Sequence, residues 1–391
     1  MGNIMMRVLV ILIVIIYCNV ELANYSLARQ PAMKETMHFS DNYEEARQKF
    51  LEASRTAGAR LESYRNPNKG PEGGHLFTDV ASIGPGDANT ILVLESGTHG
   101  VEGFTGSAIQ TGLLHEGLGS DLKPGMSIVL IHATNPFGFA HLRRFNEDNV
   151  DLNRNFLDHS KPYPVNQGYK ELQNAISPKS ISFWANAKSL FNISLYRLRH
   201  SKGELEKAIS GGQYTDPQGL FFGGHSETWS NKTIKAIIKN YLSKAKRVVI
   251  IDFHTGLGPY GEAEVILNES EQSPAYKRAV KWWGDRAKTT TSGQSVSGHL
   301  ETTVKLAFPR MLPDAEVTSV SLEFGTYSAL KVLWALRTEN WLHNYSAEDY
   351  PDRKRIKTKL LRAFYPDDDT WRIKVWQQGK EVVEQALGHL Q

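Results

Sequence analysis

The sequence predicts an α/β protein built around a sheet that is buried on both faces. Five short, nearly continuous apolar runs, at residues 91–94, 127–132, 248–253, 263–267 and 317–322, have the length of strands rather than helices. Helix-like segments at residues 43–57, 180–198 and 227–245 lie between or before them. Four of the runs leave into polar, glycine-containing stretches: ILVLES into GTHGVEG, SIVLIHAT into NPFG, VVIIDF into HTGLG, and VTSVSLEF into GTY. Ligands of α/β sheets bind at the carboxyl ends of strands, so these exits are where chemistry is expected.

The elements follow in chain order. Residues 8–17 read VLVILIVIIY after Arg7. Ten apolar residues suit a signal sequence better than a bilayer span of about 20. Ala23 is a candidate last residue removed, but Glu21 stands where a small residue is wanted, so an uncleaved anchor stays open. A start at Met33 or Met37 instead gives a cytoplasmic chain. Residues 1–37 are therefore expected to be a signal peptide or membrane anchor with a linker, and residues 38–391 one catalytic domain without repeats. Ala46, Phe50 and Ala53 are spaced as one helix face, with Ser40 or Asp41 available as the cap.

Composition excludes several classes. The only cysteine of the 391 residues is Cys18, so no intrachain disulfide, Cys-rich zinc module or CxxC motif exists. The 45 Lys and Arg against 42 Asp and Glu are interleaved, which argues against a nucleic-acid partner. The nucleophile elbow G-x-S-x-G has only near misses, at Ser226 and Ser295, each lacking the final glycine.

The polar exits carry the candidate chemistry. His99 and Glu102 form an H-x-x-E pair, and on a helical turn their side chains reach one ion. A surface helix start is the bland alternative. His254 would complete a His/Glu/His set with a fourth position for water, or is a core histidine satisfied by backbone. Glu323 ends an apolar strand, where a carboxylate needs a partner or a proton. It is a candidate general base, or one half of an ion pair. Arg143, Arg144, Asn153 and Arg154 place three guanidinium groups and an amide within TNPFGFAHLRRFNEDNVDLNRNF, suited to a carboxylate or to a solvated loop.

Together THGVEG, NPFG, RFNEDNVDLNRNF, DFH and LEFG occur in the order and approximate spacing of the zinc carboxypeptidases, the superfamily that includes succinylglutamate desuccinylase and aspartoacylase. The chain resembles an uncharacterised, mostly bacterial branch of it over residues 91–327. The resemblance implies a three-layer α/β/α fold with a mixed, largely parallel sheet. It implies one zinc ion on His99, Glu102 and His254, and Glu323 as the base that later protonates the leaving amine. It makes Arg144 the group that stabilises the oxyanion, with Arg143 as the alternative, and Asn153 and Arg154 the clamp on a substrate carboxylate. Asp151 matches the carboxylate that orients the first histidine. The implied activity is hydrolysis of an amide next to a free carboxylate, as a metallocarboxypeptidase. The alternatives are an N-acyl amino acid deacylase and a non-catalytic carboxylate-binding protein. The family's mobile tyrosine finds no motif match among Tyr260, Tyr276 and Tyr327.

Overall fold

The computed structural model describes residues 35–289 and 303–391. The apolar segment at residues 8–17, Cys18 and the near-miss Ser295 lie outside the described residues. Among those described, no helix is long and apolar enough to cross a membrane.

Among the described residues eight strands form one sheet, in the order β1-β2-β4-β3-β5-β8-β6-β7. They are β1 (Arg60–Lys69), β2 (His75–Ile83), β3 (Thr90–Glu95), β4 (Met126–His132), β5 (Arg247–Tyr260), β6 (Ala263–Leu267), β7 (Ala287–Thr289) and β8 (Glu316–Gly325). The central four, β4-β3-β5-β8, are parallel, whereas β1-β2, β2-β4 and β6-β8 are antiparallel. The expected mixed, largely parallel sheet is present. All five predicted strands exist, β6 with the expected bounds and the other four with longer ones.

Twelve α-helices occur among the described residues: α1 (Tyr43–Thr56), α2 (Gly103–His115), α3 (Pro136–Ala140), α4 (Gln167–Ile176), α5 (Phe183–Arg199), α6 (Lys202–Ser210), α7 (Trp229–Leu242), α8 (Pro274–Trp283), α9 (Ala307–Met311), α10 (Ala329–Tyr345), α11 (Arg353–Phe364) and α12 (Asp369–Leu390). The cap of α1 is neither Ser40 nor Asp41. Asn42 accepts from the Glu45 N–H, and the Asp41 N–H donates back to the Glu45 carboxylate. The cap lies one residue nearer the helix than expected because Asn42 takes the extended backbone.

Strand alternation sorts the core into two faces. Leu92, Leu94, Ile128, Leu130, Val249 and Ile251 pack toward α1, α2 and α12. Ile91, Val93, Val129, Ile131, Val248 and Ile250 pack toward Ile234, Ile237, Ile238 and Leu242 of α7 and Phe308 of α9. Each such side chain contributes about 1.5–3 kcal/mol when fully buried. This is the three-layer arrangement. The second face matters most for function, because the period of two carries it on to Glu95 after Val93 and to Asp252 and His254 after Ile250.

Candidate metal centre and substrate cleft

The central strands deliver the predicted residues to one end of the sheet. After β3 the chain makes a 3-10 turn, Gly100–Glu102, with His99 in extended conformation before it. The turn leans on the loop after β4: the Gly100 and Val101 N–H groups donate to the carbonyls of Arg144 and Arg143. A side-chain carbon at Gly100 would overlap the backbone of Gly138, Phe139 and Arg143, so glycine is required for this close approach. β5 presents His254 and β8 presents Glu323 as register partners, side by side on one face.

His99, Glu102 and His254 converge. One ligand atom from each lies within 4.8 Å of the others, and all three residues are buried. His99 Nδ1 is 3.0 Å from Glu102 Oε1, and His254 Nδ1 is 3.0 Å from Glu102 Oε2. The outer nitrogens are held by carboxylates, His99 Nε2 by Asp151 at 3.2 Å and His254 Nε2 by Asp252 at 2.6 Å. Ionised carboxylates only accept, so in the neutral rings they fix the Nε2–H tautomers and aim both Nδ1 lone pairs inward.

The donor set fits a zinc ion. Buried His99 Nδ1 forms no hydrogen bond among the described residues, its 3.0 Å approach to Glu102 Oε1 lacking the geometry of one, and this is costly unless something else takes its lone pair. Glu102, Asp151 and Asp252 bring three carboxylates to the two histidines, with Arg144 the one cation among the described residues that touches both Glu102 and Asp151. Two histidines and a glutamate are a typical catalytic zinc set.

The charges perturb one another. Burial pushes Glu102 and Asp151 up, but His99, His254 and Arg144 around Glu102, and Arg144, His99 and Arg154 around Asp151, hold both below the usual carboxylate range. Burial opposes a proton on His254, yet Asp252 and Glu102 outweigh it and raise its pKa well above the ordinary value. Burial, reinforced by the Glu102 charge, pushes Glu323 up to about 7. Glu323 Oε1 accepts the Leu257 N–H at 3.0 Å, which orients the carboxyl group.

Arg144 donates through Nε to Asp151 Oδ2 at 3.2 Å and through Nη1 to Glu102 Oε1 at 2.8 Å. Its Nη2 lies 2.9 Å from His99 Nε2, both groups being drawn to Asp151. The alternative, Arg143, does not reach the site. It is 1% exposed and donates to Glu339 and Asn149 in the interior.

A cleft of about 670 Å³ opens over these residues and is also lined by Asn153, Arg154, Lys305 and Tyr327. Asp151 caps the turn Leu152–Arg154 that carries Asn153 and Arg154, accepting the Asn153 N–H at 3.0 Å. Arg154 donates to the carbonyls of Asn153 at 2.9 Å and Ser210 at 2.5 Å. Of the three tyrosines considered, only Tyr327 lines the cleft: Tyr260 bonds Asp368, and Tyr276 packs against the core.

Sequence reasoning missed Asp252 and Lys305. Asp252 was signalled by D-F-H, since residues two apart on a strand share a face. Lys305 had no local signal: it is one lysine in VKLAF.

A three-layer α/β protein with a His-Glu-His set at its strand ends is the class that fold and site define. The chain belongs to the family described as "Protein of unknown function (DUF2817)", which matches residues 39–378. No curated protein matches it. Among solved structures it is similar to carboxypeptidase A from Helicoverpa armigera, with 14% identity over 89% of this chain and 74% of that one and a TM-score of 0.47. It is similar to a succinylglutamate desuccinylase from a Silicibacter species, with 14% identity, coverage of 73% and 67%, and a TM-score of 0.39. A metallo-carboxypeptidase from Pseudomonas aeruginosa, solved with (2-guanidinoethylmercapto)succinic acid, has 10% identity, coverage of 83% and 69%, and a TM-score of 0.39. At these values the chemistry must be argued from the chain's own residues.

Proposed function

We propose that the protein is a zinc-dependent hydrolase that cleaves an amide bond next to a free carboxylate, releasing C-terminal residues from peptides. The observation that carries this reading is the convergence of His99, Glu102 and His254 within 4.8 Å, at the floor of a cleft that also holds Glu323.

His99, Glu102 and His254 would hold the metal, with Asp151 and Asp252 fixing the rings. A zinc ion there supplies a Lewis acid that acidifies the attacking water and polarises the amide carbonyl. Glu323 takes the proton at its carboxylate and returns it to the leaving nitrogen. Its raised pKa makes it a stronger base than an exposed glutamate, and the Leu257 N–H holds it in place. Arg144 lies against Glu102 and is placed to donate to the oxygen that gains charge. Asn153 and Arg154 anchor the carboxylate and so select the bond that lies over the metal.

Metal analysis with hydrolysis assays tests this reading. The full chain should bind one zinc, lose activity with a chelator and regain it with zinc. It should cleave peptides with free but not amidated carboxyl ends. Absence of stoichiometric zinc, or equal binding by His254→Ala, would overturn the site. Cleavage of N-acyl amino acids in place of peptides would select the deacylase instead. Residues 38–391 are proposed as one catalytic domain, since a single sheet draws its strands from residues 60–325. Export or anchoring is proposed from the apolar run 8–17 alone; cell fractionation of the tagged full chain checks it.

A further inference from the structure

Two buried cations line the cleft, and among the described residues no carboxylate is in contact with either. Lys305 is 4% exposed and Arg154 is 6% exposed, and neither forms an ion pair among the described residues. Lys305 Nζ donates to the Ile266 carbonyl and to Ser321 Oγ, both at 3.0 Å, and an ammonium has a third N–H to give. Among the described residues Arg154 donates only to two carbonyls, and its buried Nε has no partner. Burying a cation this way is costly unless an anion arrives to meet it.

Their placement relates them to each other and to Glu323. The turn Val304–Leu306 is fixed to the carboxylate clamp, because the Val304 N–H donates to Asn153 Oδ1 at 3.1 Å. On the other side, Ser319 Oγ donates to the Lys305 carbonyl at 3.1 Å. Ser321, which touches the ammonium, precedes Glu323 by two residues on β8 and shares its face, about 7 Å deeper along the strand. A residue whose main-chain carboxylate sits on Asn153 and Arg154 thus has Lys305 on the wall beside it. Burial brings Lys305 down to about 8, partly offset by the more distant charges of Asp252, Glu323 and Glu269, so it keeps its proton at neutral pH.

We infer that Lys305 is a specificity residue, and that the substrate's carboxylate-bearing residue is dicarboxylic: one carboxylate meets Arg154 and Asn153, the side-chain carboxylate meets Lys305. This deepens the proposed hydrolase reading and rests on it. The rival role for Lys305 is purely internal, a counter-charge for Asp252 and Glu323 that needs no ligand.

The test uses the metal-loaded full chain and peptides that differ only in ending in Glu or Gln, equal in shape and unequal in charge. Wild type should favour Glu by about 10- to 100-fold in kcat/KM, the size of one hydrogen bond between charged groups. Lys305→Met should bring that ratio close to one. Lys305→Gln replaces it if the Met variant does not fold, since an amide can still meet Ile266 and Ser321. Equal rates on Glu and Gln in wild type, or a ratio retained in the variant, would overturn the inference while amide hydrolysis stands. If no peptide is cleaved, the peptidase reading fails, and calorimetry with N-acetylglutamate and N-acetylglutamine decides the inference alone. Tighter binding of the diacid, lost in the variant, upholds it; equal binding by wild type sinks it.

Discussion

Arg143 and Arg144 are adjacent in the chain and are both drawn to buried carboxylates, yet they serve two differently built clusters. Arg143 Nε donates to Glu339 Oε1 at 2.9 Å, Lys357 donates to the same oxygen at 2.6 Å, and Arg143 Nη2 reaches Asn149 at 2.7 Å. That cluster ties the loop after β4 to α10 and α11, away from the cleft. Two cations there share one carboxylate. Around Arg144 the proportion is reversed, with Glu102, Asp151 and Asp252 set about two histidines and one arginine. Burial is common to both regions. The sign of the imbalance, and the inward aim of two imidazole nitrogens, separate a structural clamp from a site that wants a metal.

The sharpest test of this contrast is Glu323→Gln, which should lower kcat by about 10²–10⁴ while zinc content stays stoichiometric. A catalytic loss of a few fold would remove Glu323 from the role of base. In the other cluster, Arg143→Met leaves Glu339 short of a partner and should cost about 3–5 kcal/mol of stability by denaturant unfolding, with zinc content unchanged. If it removes zinc without changing stability, the two clusters have been assigned the wrong way round. Asp252→Asn should weaken zinc binding by about 10–100-fold in a competition titration, because the amide no longer fixes the His254 tautomer.

The smallest effect is one of pH. Burial raises the pKa of Glu339, but Arg143 and Lys357 hold it down to about 2, below its ordinary 4.5. Its contribution to stability is therefore fully present above about 4.5 and is lost as pH falls through about 2. Denaturant midpoints measured from pH 5 downward should show this loss in wild type. In Arg143→Met, with one cation gone, the loss should begin at higher pH.

Much of this was legible in the sequence for definite reasons. The buried parallel strands announce themselves as continuous apolar runs, and the residues just beyond them fall at one end of the sheet by topology alone. β1 was not legible, because RLESYRNPNK is a mostly exposed, polar edge strand with a proline, which reads as loop. The same limit hid Lys305. Its meaning depends on contacts with Ile266 and Ser321, which are distant in sequence, and on the missing carboxylate, which no local pattern records. Arg143 and Arg144 could be ranked only by resemblance, since both stand in one loop and only folding sends one inward and one to the cleft.

Gly100 has a consequence for how this chain can vary. With no room for a β-carbon, the ligand turn and the arginine loop meet backbone to backbone, so any side chain there must push one of them away. The position couples His99 and Glu102 to Arg144 mechanically: they move as one piece or not at all. A saturation scan read by zinc content should show no tolerated replacement at Gly100, although the residue carries no functional atom of its own.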